Sequence, residues 1–197
     1  MGVERLQQEY TDGTRRVIAA LMAKATRIPV TGNQVTALGF VVNAAAAVLV
    51  YRGDFIAGGV VFLLGSILDI FDGAIARARG EAGPKGALFD SVLDRVSEAV
   101  MLGAIALVFA REDEKIALLA VIAALTGSLL TSYIRARAEA LGLDGTHGLM
   151  ARAERVVLIA AALLFAPLGA LPWGIILLAI LSALTVLQRA RHVMRQL

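Results

Sequence analysis

The chain has 197 residues, of which 58% are hydrophobic and only 18% are charged, and its formal net charge is +3. A soluble globular domain averages about 45–50% apolar and about 25% charged residues, so this composition argues against a soluble domain and predicts an integral membrane protein. The chain has no cysteine, which excludes a disulfide framework and a thiolate metal site.

The N-terminal region mixes charged and polar residues. It has no apolar run long enough for the core of a signal peptide, so we expect no cleavable signal. Residues 14–27 place basic side chains beside an apolar stripe. This pattern predicts a juxtamembrane amphipathic helix lying in the membrane interface.

Six apolar segments follow, at residues 34–51, 55–78, 87–109, 116–136, 155–168 and 172–190. Runs of about 20 apolar residues span a bilayer as helix, so the pattern predicts six transmembrane helices. We therefore expect an all-α integral membrane protein. Residues 1–197 are predicted to form a single membrane domain, with the six-helix bundle at 34–190.

Basic residues are concentrated on one side of this topology. The side that holds the N-terminus receives most of the arginines, whereas the other side keeps only Arg52, Arg111 and Lys115. The positive-inside rule then places the N-terminus in the cytoplasm. The sequence predicts a multi-pass protein of the cytoplasmic membrane, with the link between the second and third helices facing the cytoplasm.

Four aspartates lie near the facing ends of the second and third predicted helices: Asp69, Asp72, Asp90 and Asp94. Spacings of three and four residues put each pair on one helix face. The short link predicts that the two helices are direct neighbours, which would bring the four carboxylates together. They would repel without compensation, and oxygen ligands without Cys or a nearby His favour Mg²⁺ or Mn²⁺. The alternative is a set of helix-end carboxylates paired with arginines.

These aspartates also belong to a longer motif. The pattern Asp69-x-x-Asp72-Gly73-x-x-Ala76-Arg77, eight further residues, then Gly86-x-x-x-Asp90-x-x-x-Asp94 resembles the signature of the CDP-alcohol phosphotransferase family at every defined position. The resemblance implies six transmembrane helices around a polar, metal-containing cavity open to the cytoplasm, usually in a homodimer. It also implies the reaction, in which an alcohol attacks the β-phosphorus of a CDP-linked lipid and CMP leaves.

The resemblance assigns roles to individual residues. All four aspartates would hold metal, as two Mg²⁺ or Mn²⁺ ions, and Asp94 would also act as the general base. The CDP-lipid would be bound by Asn33, Thr36, Asp69, Gly73, Arg77 and Gly86. The two glycines would let the backbone approach the nucleotide, and Arg77 would hold the diphosphate. Asn33 is expected to cap the first helix, to contact the nucleotide, or both.

A second basic group lies at the ends of the last three predicted helices and consists of Arg135, Arg137, Arg152, Arg155 and Arg189. Guanidinium groups that converge from three helix ends favour a phosphate site; the alternative is that they are positive-inside anchors. The segments around them resemble the actinobacterial phosphatidylinositol phosphate synthase branch of the family. That resemblance implies CDP-diacylglycerol and inositol 1-phosphate as substrates, a lipid bilayer as the surroundings and no nucleic-acid partner.

Other interpretations stay open at this point. Glycerol 3-phosphate would also suit the arginines, which would make the chain a phosphatidylglycerophosphate synthase, and an ether-lipid donor is equally compatible. A divalent-cation channel or transporter is a hypothesis from a different class. The aspartates lie near one membrane face only, and an ion path has no use for Gly73, Arg77 and Gly86. A non-catalytic scaffold is the remaining alternative.

Overall fold

The computed structural model describes residues 30–197, apart from the side chains of Ile70 and Ala78. The juxtamembrane helix predicted at 14–27 lies outside the described residues. The helices are α1 (Gly32–Arg52), α2 (Phe55–Ala78), α3 (Pro84–Arg111), α4 (Lys115–Ala140), α5 (Arg152–Leu164) and α6 (Ala170–Met194), and a 3-10 turn, Ala166–Leu168, joins α5 to α6. Residues 30–197 contain no strand. The predicted all-helical class is confirmed.

Local sequence signals set the ends of the first helices. The Gln34 N–H donates to Thr31 Oγ1 (3.3 Å), and the Thr31 N–H donates to Gln34 Oε1 (2.9 Å). This capping box shows that the expectation of an Asn33 cap is wrong, because Asn33 lies inside the first turn. Gly53 ends α1 at φ +95°, a backbone conformation that glycine adopts without strain. Pro84 opens α3, where its missing N–H costs nothing.

Four of the helices are long and apolar enough to cross a membrane, namely α1, α2 as far as Arg77, α4 and α6. α5 has 13 residues and is about 20 Å long, which is less than the ~30 Å thickness of a hydrocarbon core. α3 has 28 residues, but its sequence includes charged residues such as Arg95 and Glu98. Length and composition therefore identify four spans within residues 30–197.

α1 packs between α2 and α3, two helices that contact each other very little. It packs against both α2 and α3, whereas α2 and α3 have few contacts between them. The prediction that α2 and α3 pack directly is therefore wrong. A reason lies in the small residues of α1 and α2: a Cβ on Gly39 would come within 3.2 Å of the Gly65 carbonyl oxygen. Small residues let helix backbones approach closely, so α1 takes the place beside α2. α6 packs against α4 and α5, and α5 packs against α2.

The interior and the exterior of the bundle are both apolar. Large side chains such as Phe62, Met101 and Ile105 are almost fully buried, and many others, including Val41 and Leu119, are exposed. Broad apolar exposure is unusual for a soluble monomer and is what a helix bundle surrounded by lipid requires.

Candidate active site

A cavity of about 810 Å³ opens where α1 begins, α2 ends and α3 begins. Ligand sites typically measure roughly 300–1,000 Å³. The lining contains most of the residues that the motif assigned to a CDP-lipid, namely Asn33, Thr36, Gly73, Arg77 and Gly86, together with Asp72 and Asp90. Asp69 does not line it. Residues far apart in the chain are thus brought to one concave surface. Lys85 also lines the cavity, although the sequence analysis did not predict it. Its position next to the motif residue Gly86 could have indicated it.

The two motif glycines lie against polar side chains of the cavity. A Cβ on Gly73 would lie 3.3 Å from Arg77 Nη1, and one on Gly86 would lie 3.3 Å from Asn33 Oδ1. Each distance is tighter than ordinary van der Waals contact, so the neighbouring side chain would have to shift. Glycine at these two positions keeps Arg77 and Asn33 where they face the cavity.

Asp72 is the aspartate most firmly held by the fold. Its side chain is buried, and the Thr36 hydroxyl of α1 donates to Asp72 Oδ2 at 2.5 Å. The Gly73 N–H donates to Asp72 Oδ1. Hydrogen bonds to a carboxylate are stronger than neutral ones, so α1 fixes the carboxylate orientation on α2. Thr36, singled out for the CDP-lipid, therefore also positions an acidic residue.

The four aspartates are close enough to act on one another electrostatically. Asp90 of α3 is close enough to Asp72 and Asp69 for their negative charges to act on it. Asp94 feels the charges of Asp69 and Asp90. The structure thus brings the acidic residues of α2 and α3 into one region, as predicted. Within residues 30–197, however, no three acidic or histidine side chains are arranged closely enough to hold a metal ion.

An arginine lies between two of these carboxylates. Arg152 Nη2, at the start of α5, is 2.7 Å from Asp69 Oδ2 and 2.9 Å from Asp94 Oδ1. The first contact is a hydrogen bond. The second is an ion pair by distance only, because Asp94 Oδ1 is buried without a hydrogen-bond partner. Part of the negative charge is therefore neutralised by a residue predicted to bind an acceptor phosphate.

The donor atoms of this region suit a divalent cation by their chemistry, although within residues 30–197 the side chains are not arranged to hold one. All the ligand atoms on offer are carboxylate oxygens, which suit Mg²⁺ and Mn²⁺. One of them, Asp94 Oδ1, is buried and accepts no hydrogen bond. A cationic nitrogen already lies within ion-pair distance of two carboxylates from different helices. Arg152 neutralises part of the negative charge of these carboxylates, and a divalent cation bound there would neutralise more of it.

Arg155, also predicted to bind the acceptor, forms a buried ion pair. Its Nε and Nη2 donate to the two Glu98 carboxylate oxygens at 2.7 and 2.9 Å, and each side chain is only 3% exposed. Glu98 lies one helical turn beyond Asp94 in α3. Its role as the partner of Arg155 is not visible in the sequence, because the two residues are 57 positions apart.

Arg189 holds the loop between α4 and α5. Its guanidinium donates to the carbonyl oxygens of Thr131 (2.8 Å), His147 (2.8 Å) and Thr146 (3.3 Å). Arg135 and Arg155 are near enough for their charges to repel that of Arg189. The predicted convergence of these three arginines is therefore present, although most of the donors of Arg189 already have backbone partners.

The remaining arginines of the group are on the surface. Arg135 pairs with Glu139 one turn away, at 2.8 Å, with both side chains about half exposed. The Arg137 side chain is exposed, and within residues 30–197 its guanidinium forms no hydrogen bond or ion pair with another residue.

The α4–α5 loop has further ties to the end of α6 that the sequence did not indicate. Gln196 exchanges two hydrogen bonds of 2.9 Å with the Asp144 backbone. The rings of His147 and His192 stack with their centroids 4.7 Å apart. Hydrogen bonds from Thr146 hold the pKa of Asp144 below its ordinary value. The loop is therefore fixed at several points immediately before Arg152.

Comparison with known proteins gives relatives along most of the chain. The family described as CDP-alcohol phosphatidyltransferase matches residues 30–188. An archaetidylinositol phosphate synthase of Pyrococcus horikoshii is 37% identical over 171 residues, covering 85% of this chain and 86% of the relative. A phosphatidylinositol phosphate synthase of Streptomyces avermitilis is 35% identical over 193 residues, covering 92% and 79%.

Solved structures of Mycobacterium tuberculosis phosphatidylinositol phosphate synthase are also similar. The one with CDP-DAG bound has a TM-score of 0.83 and 31% identity, covering 90% of this chain and 94% of that chain. The one in complex with manganese and citrate has a TM-score of 0.82 and 32% identity, covering 89% and 88%. Motif, cavity, fold and relatives agree, and the chain belongs to the CDP-alcohol phosphatidyltransferase family of membrane enzymes.

Proposed function

We propose that this enzyme transfers a phosphatidyl group from CDP-diacylglycerol to a hydroxyl of inositol 1-phosphate, releasing CMP and giving phosphatidylinositol phosphate. The observation that carries the proposal is the cavity of about 810 Å³, whose lining combines the motif glycines, Arg77 and two of the aspartates. Relatives named for this activity, and a similar structure with CDP-DAG bound, support the donor and the acceptor.

The cavity side chains would bind the nucleotide end of the donor. Arg77 donates to the diphosphate, for which a guanidinium is well suited. Gly73 and Gly86 leave room for the nucleotide beside the backbone. Asn33 and Thr36 contact it from the first turns of α1. The predicted set also includes Asp69, which does not line the cavity.

We assign the divalent cations to Asp69, Asp72, Asp90 and Asp94, as two Mg²⁺ or Mn²⁺ ions. The similar structure in complex with manganese supports a divalent metal. Such ions polarise phosphoryl oxygens and neutralise charge that develops on them. Thr36 keeps Asp72 oriented for this task through its hydrogen bond.

Asp94 is proposed as the general base. Its carboxylate takes the proton of the attacking inositol hydroxyl as that oxygen forms a bond to the β-phosphorus. The bond from the β-phosphorus to the bridging oxygen breaks, and CMP leaves with the electron pair. Asp94 suits the role because one of its oxygens, Oδ1, accepts no hydrogen bond within the protein and therefore has a free lone pair.

The acceptor phosphate is assigned to Arg135, Arg137, Arg152, Arg155 and Arg189. Arg155 retains its Nη1 group after pairing with Glu98. Arg189 contributes its remaining N–H groups and a fixed charge. An anionic acceptor explains why several arginines gather near one another at helix ends, which a neutral alcohol would not require.

We further propose the membrane arrangement that the sequence predicts. The chain forms one membrane domain, and α3 and the α5–turn segment join the four clear spans to make six. The catalytic cavity faces the cytoplasm, because the arginine-rich helix ends lie on its side of the protein. The enzyme is proposed to act as a homodimer in the cytoplasmic membrane.

Two variants of the reaction are tested alongside the first. An archaeol-based donor is favoured by a specific finding, the 37% identity to an archaetidylinositol phosphate synthase. Glycerol 3-phosphate is the alternative acceptor. The hypothesis of a cation channel loses its support because the chain belongs to a transferase family.

The test is CMP release by the purified protein with Mg²⁺. CDP-diacylglycerol and CDP-archaeol are each offered with inositol 1-phosphate, free inositol or glycerol 3-phosphate. We expect CMP with inositol 1-phosphate and CDP-diacylglycerol. CMP with glycerol 3-phosphate alone would contradict the acceptor, and CMP from CDP-archaeol alone would contradict the donor.

A matched pair of variants tests the base. Asp94→Asn should abolish CMP release. Asp54→Asn changes an exposed carboxylate at the opposite end of α2, where it forms no side-chain cap hydrogen bond, and should retain wild-type activity. Substantial turnover by Asp94→Asn would contradict the assigned base.

A further inference from the structure

Arg152 contacts atoms that a cation would need. A single nitrogen, Nη2, is 2.7 Å from Asp69 Oδ2 and 2.9 Å from Asp94 Oδ1. A divalent ion bound by the same two carboxylates requires short contacts to their oxygens and repels a guanidinium. Arg152 and the cation therefore compete for this position.

Arg152 lacks some of its hydrogen-bond partners in this position. Its Nε is buried without a hydrogen-bond partner, and so is Asp94 Oδ1. The side chain is nevertheless 28% exposed, in contrast to Arg155 at 3%. Unmade hydrogen bonds lower the cost of leaving a site, and partial exposure gives the side chain space to turn. Arg152 is therefore able to move without breaking a complete network.

Three other arginines of the predicted acceptor site have partners that are not assigned to the cation. Arg155 is held by Glu98, Arg189 by backbone carbonyl oxygens, and Arg135 by Glu139. Arg152 alone in this group is paired with the aspartates assigned to metal. It lies three positions before Arg155 in α5, a spacing that puts the two side chains on one face of the helix.

We propose that Arg152 is an exchangeable counter-charge. It neutralises Asp69 and Asp94 before a divalent cation binds, and it binds the acceptor phosphate once the cation has taken those oxygens. Cation and acceptor phosphate then bind with positive cooperativity, because each favours the same position of one side chain. This inference rests on the proposed function for the identity of the acceptor.

The first experiment measures Mn²⁺ binding to the purified enzyme by calorimetry, without any lipid substrate. Arg152→Gln removes the competing charge and should raise the affinity for Mn²⁺ at least about fivefold over wild type. This factor is at the lower end of the usual coupling between two sites. Arg152→Lys keeps a positive charge and should bind Mn²⁺ nearly as wild type does. Arg191→Gln changes an exposed arginine of α6 and is the control that should leave Mn²⁺ affinity unchanged. Equal or weaker Mn²⁺ binding by Arg152→Gln would overturn the proposal, because it would show that Arg152 does not compete with the cation for these oxygens.

The second experiment measures the affinity for inorganic phosphate and for inositol 1-phosphate with and without Mn²⁺. In wild type, Mn²⁺ should raise the affinity for both ligands about fivefold or more, and in Arg152→Gln this gain should disappear. A gain that survives in Arg152→Gln overturns the exchange. Failure of the proposed function has a different signature: Mn²⁺ affinity responds to Arg152→Gln, but inositol 1-phosphate supports no CMP release.

Discussion

The buried pair of Glu98 and Arg155 allows a quantitative test of the structure. Two hydrogen bonds of 2.7 and 2.9 Å join side chains that are each 3% exposed. Glu98→Gln keeps the side-chain volume and removes the charge. The guanidinium is then buried without its counter-ion, and breaking such a pair costs roughly 3–5 kcal/mol. Because glutamine retains one acceptor oxygen, we expect a loss of about 3 kcal/mol in the free energy of unfolding.

The assay is reversible unfolding in mixed detergent micelles, followed by tryptophan fluorescence or circular dichroism. Glu98→Gln, Arg155→Met and the double variant form a double-mutant cycle. The double variant should be less destabilised than the sum of the two single variants by about 2 kcal/mol, because neither charge is left alone.

The chain supplies a matched control with the same contact distance and different burial. Arg135 and Glu139 are 2.8 Å apart and about half exposed. Glu139→Gln should cost under about 0.5 kcal/mol, as exposed helix pairs do. If Glu98→Gln costs no more than Glu139→Gln, or if the cycle is additive within about 0.5 kcal/mol, the buried pair is not formed as described.

Three further predictions follow from the cavity and the acidic region. Gly73→Ala brings a Cβ to 3.3 Å from Arg77 Nη1 and should raise KM for the CDP-lipid several-fold. Gly103→Ala, where a Cβ meets nothing within 4 Å, should not change KM, and equal KM values for both variants would contradict the cavity geometry. Thr36→Val removes the hydrogen bond to buried Asp72 and should cost about 1.5–3 kcal/mol in unfolding experiments; an unchanged Tm would refute that contact. Chelation of divalent metal should abolish CMP release and Mn²⁺ or Mg²⁺ should restore it, so turnover after exhaustive chelation would exclude the metal assignment.

Much of the secondary structure and of the motif follows from local sequence. The apolar runs predict where the helices lie. The spacing of the aspartates puts each pair on one face of its own helix. These predictions succeed because helical periodicity and the length of an apolar run depend on residues a few positions apart.

The sequence could not determine which helices pack together, since side chains facing lipid and side chains facing another helix are equally apolar. α1, and not α3, packs closely on α2, where Gly39 and Gly65 permit the approach. In that arrangement the Thr36 hydroxyl donates a hydrogen bond to Asp72.

Helix packing also determines the charged contacts. Arg152 reaches Asp69 across 83 positions, and Arg155 reaches Glu98 across 57. The sequence by itself determined the helices and the chemical character of the site. Only the tertiary structure decided which charge neutralises which. Ion pairs act over a few ångströms, and those distances depend on which helices pack against each other.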